Sequence, residues 1–235
     1  MSVEFSISRE KLLEYLKELG KEFRKLHKKR AEAEIILIGG ASIVINYDFR
    51  DMTTDADALI YTDVAMKDAI NRVRDKFNLP HDWLNEDFKN TKSYTEKIRG
   101  VSVHYKTFSN VLNIRTIAAE HLIAIKAMSG RQYKFDLSDI VGILWEHEKR
   151  GSSIAKESVE KAIFELYGQQ PLPNVSTQLL RDVFNNQDYK RIYLEARKKE
   201  KQVRDILLHF KQENPNLLTE DNIESIIEQA KSKRE

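Results

Sequence analysis

From residue 118 onward every strong hydrophobic period in the chain is helical, and this limits the fold more than any other feature. Apolar residues recur at spacings of three and four, with charges between them, over roughly residues 118–128, 137–149, 154–167, 175–184, 189–212 and 219–231. Only 8 Gly and 4 Pro occur in 235 residues, too few for an all-β sandwich or barrel, which needs a turn signal every ~8–12 residues. Gly130, Gly151 and Gly168 stand where helix carboxyl ends need a residue tolerant of positive φ.

The first half reads differently. Leu12, Leu16, Leu19, Phe23 and Leu26 make one apolar stripe on a helix ending near Arg30. Residues 35–38 are an aliphatic run stopped by Gly39 and Gly40, as in a buried strand that ends in a tight turn, and residues 42–47 start a short helix directly after it. A polar loop over 48–54 leads to a strand over 55–61, a helix over 66–77 closed by Pro80, and two β-branched strands over 101–105 and 111–116. The expected fold class is therefore α/β (α+β): an amino-terminal unit over residues 1–150 and a helical carboxyl-terminal unit over 151–235, with the seam near Gly151 and no internal repeat.

Composition removes whole classes of function. With no cysteine, disulfide scaffolds, thiolate zinc sites, iron–sulfur clusters and thiol nucleophiles all drop out. The longest apolar stretch, residues 35–45, is broken by two glycines and falls short of the ~20 residues needed to cross a bilayer, and MSVEFSISREK carries no signal-peptide run. The expectation is a cytoplasmic protein with no membrane partner. Net charge is only +2, but residues 21–30 hold six Lys/Arg against one acid and residues 190–204 hold seven against two. Solvated helix faces and a phosphate-tracking RNA or DNA surface both account for these runs. Tyr189 and Tyr193 beside the second run suit stacking on a single-stranded RNA end, and a partner protein with an acidic face suits the same charges.

The segment ILIGGASIVINYDFRDMTTDADALIY concentrates the chemistry. A strand ending in two glycines lets backbone approach a ligand, and a helix starting there presents free N–H groups and a positive dipole end to phosphates, with the Ser42 hydroxyl as a further donor. Asp55 and Asp57, at i and i+2 on the next strand, leave the same face. Two such carboxylates repel one another, and a magnesium (or manganese) ion between them relieves that repulsion while bridging to nucleotide phosphates. Arg50, Thr53 and Thr54 stand just before the pair.

The G-G-A-S and R-x-x-T-T-D-x-D pattern resembles the nucleotidyltransferase superfamily, with the fold of DNA polymerase β, and more closely its AbiEii-like branch of bacterial toxins and their relatives. Asp82-Trp83-Leu84-Asn85, and Leu122 to Lys126 followed by Arg131, Asp136 and Asp139, are similar to further stretches of that branch; the resemblance spans about residues 34–150. It implies a mixed sheet flanked by helices and a magnesium-dependent transfer of a nucleoside monophosphate from NTP to an acceptor. In that reading Asp55 and Asp57 hold metal, and Gly39, Gly40, Ser42, Arg50, Thr54 and Arg131 bind nucleotide. Lys126 supplies a mobile cation for triphosphate charge and Asp139 orients it, while Asp136 either shares that task or caps the helix that follows. The implied acceptor is a tRNA or other RNA end, or a protein hydroxyl, and the implied partner an antitoxin in a toxin–antitoxin or phage-defence system.

One departure stands out. The superfamily carries a third carboxylate on a later strand, where VSVHYKTF offers His104. A non-catalytic module that binds nucleotide or protein on the same fold is therefore the alternative.

Overall fold

In the computed structural model, which describes residues 5–27, 31–62, 64–214, 217–219 and 222–232, the first half of the chain alternates strands and helices. It runs β1 (Ile7–Ser8), α1 (Arg9–His27), β2 (Ala33–Leu37), α2 (Gly39–Asn46), β3 (Met52–Thr53), β4 (Ala56–Thr62), α3 (Lys67–Phe77), β5 (Leu84–Asn85), β6 (Ser102–Phe108) and β7 (Leu112–Ile117). Helices follow: α4 (Ala119–Ser129), α5 (Asp136–Lys149), α6 (Lys156–Tyr167), α7 (Asn174–Asn186), α8 (Tyr189–Glu213) and α9 (Ile223–Ser232).

Five strands form a mixed sheet in the order β5-β4-β2-β7-β6, and β1 pairs with β3 in a separate ribbon. β2 lies at its centre, antiparallel to β4 and parallel to β7. Burial on both faces is why its residues 35–37 are an unbroken aliphatic run, while Glu34 pairs with Arg99 at 3.0 Å. Ile35 and Leu37 join the apolar cluster that includes Leu12, Leu16 and Phe23 of α1 and Val73 of α3, whereas Ile36 joins Leu122 and Ile125 of α4 and Ile140 and Leu144 of α5 on the other side. The second cluster continues past Gly151 into Val159 and Leu166 of α6 and Val183 of α7.

Most expected elements are present, with shifts that have local causes. α2 starts at Gly39 rather than at residue 42, so the glycines form the first turn of the helix and not a turn before it. β1, β3 and β5 are two residues each, too short to leave a period in the sequence. α1 ends at His27; the expected end near Arg30 falls outside the described residues. Gly130, Gly151 and Gly168 follow helix ends at φ of +58°, +70° and +62°. Among the described residues no helix is long and apolar enough to cross a membrane.

α4 explains an unusual buried charge. It carries Leu122, Ile123, Ala124, Ile125, Ala127 and Met128, all buried, so it is apolar around its whole circumference and Lys126 is buried with it at 4% exposure.

Candidate active site

The antiparallel pairing of β2 with β4 sets Asp57 against the start of α2. The Ile38 N–H donates to the Asp57 carbonyl oxygen at 2.9 Å, so the next residues, Gly39 and Gly40, turn away beside the Asp57 side chain. Gly39 has φ +57°, and a Cβ there would stand 3.3 Å from Asp57 Oδ2. At Gly40 a Cβ would come within 2.3 Å of Thr53 Oγ1 and 3.0 Å of Arg50 Nη2, which only glycine avoids. Ile38, the N-cap residue of α2, offers no side-chain cap, so nothing from that position competes for the donors of the first turn.

These residues open on a cleft of about 400 Å³ lined by Gly39, Gly40, Thr53, Thr54, Asp55 and Asp57 on one side. Asp55 and Asp57 thus line the same cleft, and the Thr54 hydroxyl donates to Asp55 Oδ1 at 3.3 Å. Burial, and then the neighbouring Asp55 charge, push the Asp57 carboxyl up to about 6, against the pull of Lys134, Arg131 and Lys126. Six cations line the cleft among the described residues, Arg50, Lys126, Arg131, Lys134, Arg204 and Lys211, against these two carboxylates. Such a cleft attracts a polyanion and leaves the aspartate pair without close compensation.

Lys126 is fixed rather than mobile. Its ammonium donates to Asp136 Oδ1 at 2.8 Å and stands 2.9 Å from Asp139 Oδ2. Arg50 reaches the same Asp139 oxygen at 2.7 Å, and the Arg131 Nε donates to Asp136 Oδ2 at 2.9 Å. Burial works to neutralise Lys126, but the Asp136 and Asp139 charges outweigh it and hold the ammonium form above its ordinary value. Burial likewise pushes Asp136 up, and Lys126 and Arg131 reverse this and hold it well below the usual carboxylate range. Asp136 does not cap α5: its N-cap residue is Phe135, in the left-handed region at φ +62°. Instead Glu200 of α8, 1% exposed, accepts the Leu137 and Ser138 N–H groups at 2.9 and 3.2 Å.

The structure does not bring every expected residue to the cleft. Ser42 is fully buried, and its hydroxyl oxygen accepts the Ile117 N–H at 3.4 Å, so it joins α2 to β7 within the core. His104 lies on the edge strand β6, two strands beyond the central β2, exposed and hydrogen-bonded to Thr107 Oγ1 at 3.0 Å. Trp83, in the Asp82–Asn85 stretch that carries part of the resemblance, is fully buried edge-on to Tyr15 and does not line the cleft.

The opposite wall, which no motif in the sequence announces, comes from α8 and the chain after it: Arg204, Leu207, Leu208, Lys211, Leu218 and Ile223. Arg197, Arg204 and Lys211 recur at intervals of seven, which puts them on one stripe of α8. The guanidinium groups of Arg197, Arg204 and Arg50 stand 4.0, 5.9 and 5.8 Å from the Phe135 ring centre, gathered around one aromatic at the cleft. The seven-residue interval is the sequence signal for this wall; the direction in which the stripe faces is not encoded locally.

A family model described as a nucleotidyltransferase of unknown function (DUF6036) matches residues 14–147, more than half of the chain. The chain belongs to that family. No curated protein and no solved structure matches it. The matched region contains the glycine turn, the aspartate pair and the Arg50–Asp139–Lys126–Asp136–Arg131 network, while the α8–α9 wall lies beyond it.

The donor set fits a divalent cation of the magnesium type. Asp55 and Asp57 supply hard oxygens to one cleft, the burial of Asp57 leaves a charge to be compensated, and Gly39 keeps the space beside Asp57 Oδ2 clear of a side chain. Among the described residues no group of three or more histidines or carboxylates is gathered to hold a metal. A two-carboxylate set leaves positions for phosphate and water oxygens, which is how magnesium is commonly held beside a nucleotide.

Proposed function

We propose that the protein transfers a nucleoside monophosphate from an NTP to the terminal hydroxyl of an RNA, with Asp55 and Asp57 holding a magnesium ion. The observation that carries this reading is the aspartate pair, with Asp57 pushed up to about 6, in a cleft that six cations also line. A bound magnesium ion would neutralise phosphate charge and polarise the reacting oxygens.

The chain's own residues do the rest. The first turn of α2 receives phosphate oxygens on backbone N–H groups, with Gly39 and Gly40 permitting the close approach. Arg131 and Lys134 meet the triphosphate from the opposite side. Asp139 and Asp136 hold Lys126, Arg50 and Arg131 in position, so the charge that develops on the departing pyrophosphate meets cations already in place. The acceptor oxygen forms its bond to the α-phosphorus, the α–β phosphoanhydride bond breaks, pyrophosphate leaves, and the hydroxyl proton passes to water.

RNA is the acceptor favoured by the stripe of Arg197, Arg204 and Lys211, which leads along α8 from the cleft. The resemblance to AbiEii-like toxins supports a role in a toxin–antitoxin or phage-defence system. The two-carboxylate set supports a second reading, a module that binds nucleotide without turnover. Incubation with each α-labelled NTP, magnesium, and either total RNA or cell protein separates them. Label on RNA is the expected result, label on protein moves the acceptor, and bound but untransferred nucleotide favours the second reading.

A further inference from the structure

A second cavity, about 880 Å³ and larger than the catalytic cleft, lies between α5, α7 and α8. Its apolar lining includes Leu137 of α5, Val175 and Leu179 of α7, and Ile192, Ala196 and Val203 of α8. Its charged rim is largely self-satisfied: Arg191 pairs with Glu195 at 3.0 Å, and the Gln178 amide donates to Asp182 at 2.9 Å, with Lys199 exposed beside them.

Glu200 belongs to the same lining and differs from the rim. It is 1% exposed; Oε1 accepts both α5 N–H groups, and Oε2 is buried with no hydrogen-bond donor among the described residues. A buried carboxylate oxygen without a donor costs free energy that a ligand's N–H can recover. We propose that this cavity is a second binding site, for a small ligand with an ammonium head on an apolar body, the head pairing with Glu200 Oε2 and the body lying along Leu179 and Ala196. The volume falls within the range of small-molecule sites, and apolar walls with a few placed polar groups are their usual construction.

The site is coupled to the catalytic cleft by a short path. Glu200 Oε1 holds the first turn of α5, and that turn carries Asp136 and Asp139, the carboxylates that hold Lys126, Arg50 and Arg131. Burial raises the Glu200 carboxyl to about 7 against the hydrogen bonding of Ser138 and Leu137, and the Asp139 charge adds to the rise. An ammonium at Oε2 keeps Glu200 ionised, strengthens its hold on the α5 N–H groups and screens it from Asp139. Occupancy therefore tightens magnesium–NTP binding in the cleft.

The probe is n-hexylamine, titrated into the full chain and followed by backbone amide NMR shifts at Leu179 and Ala196, with n-hexanol and hexanoate as controls. Saturable binding of the amine, at least tenfold tighter than either control, is expected. Glu200→Gln, which keeps an acceptor for α5, should weaken it at least tenfold. Gln178→Trp, at an exposed rim position, should fill the cavity and do the same while leaving NTP affinity unchanged. Saturating amine should raise NTP affinity at least fivefold, within the usual range of coupling between sites. Equal binding of hexanol, undiminished binding to Glu200→Gln, or no saturable binding overturns the site, and amine binding without any change in NTP affinity overturns the coupling. Amine binding is read without turnover, so its failure is distinguishable from failure of the nucleotidyl-transfer reading.

Discussion

At the residue scale two charges in the cleft have opposite relations to stability. Asp57 is half-buried beside Asp55, next to the space that Gly39 keeps open, so ionisation costs the metal-free fold. Asp57→Asn is expected to abolish transfer while the melting temperature in chelator at pH 8 equals or exceeds that of the wild type. A marked loss of stability would mean that Asp57 is instead a structural acceptor. Lys126 is the reverse case. From the sequence it looks like a cation that a methionine could replace without cost, since apolar residues flank it on its helix. The structure surrounds its head with Asp136 and Asp139, both at most 1% exposed. Lys126→Met strands those two carboxylates with Arg50 and Arg131 alone and should cost about 3–5 kcal/mol in urea denaturation, as expected for breaking a buried pair from one side.

At the element scale the α5–α8 contact decides how the cations are held. Glu200→Ala leaves the Leu137 and Ser138 N–H groups without their acceptor, and urea denaturation should show a loss of about 1–3 kcal/mol. Glu200→Gln keeps an acceptor and removes the charge. Because the folded chain holds the Glu200 proton up to about 7 while the unfolded chain releases it near its ordinary 4.5, the wild type loses stability as pH rises through that interval. The melting temperature of Glu200→Gln relative to wild type should therefore be higher at pH 8 than at pH 4.5; a pH-independent difference would contradict the buried, ionising carboxylate. These contacts also mark where the sequence stops being informative. The strand, the glycine pair and Asp55–Asp57 are legible because each is fixed by spacing within one segment, and Lys126 with Asp136 and Asp139 because they sit on adjacent helices. Arg50 to Asp139 and Glu200 to Leu137 join segments far apart in the chain, and no local period encodes them. Ser42 misleads for the same reason: its partner, Ile117, is on β7.

At the scale of the whole molecule, a nearly neutral chain concentrates positive charge on one cleft. The net charge of +2 conceals six cations along the cleft, three of them paired with Asp136 and Asp139, with α8 supplying the outer wall. The helices of the second half are legible from their periods, but their role as a wall depends on how α8 crosses α5, which only packing sets. If α8 guides RNA, Lys211→Ala should weaken binding for all sequences alike and reduce the slope of log affinity against log salt by roughly 0.7–0.9 for each phosphate no longer neutralised. An unchanged slope would remove α8 from the RNA path. Nucleotidyl transfer by the aspartate pair is measured by supplying RNA and magnesium with NTP labelled at either the α- or the γ-phosphate. α-Label should enter RNA, γ-label should leave as pyrophosphate, and Asp57→Asn should abolish incorporation; γ-label in RNA, or undiminished α-label transfer by Asp57→Asn, would exclude the aspartate pair as the nucleotidyl-transfer centre.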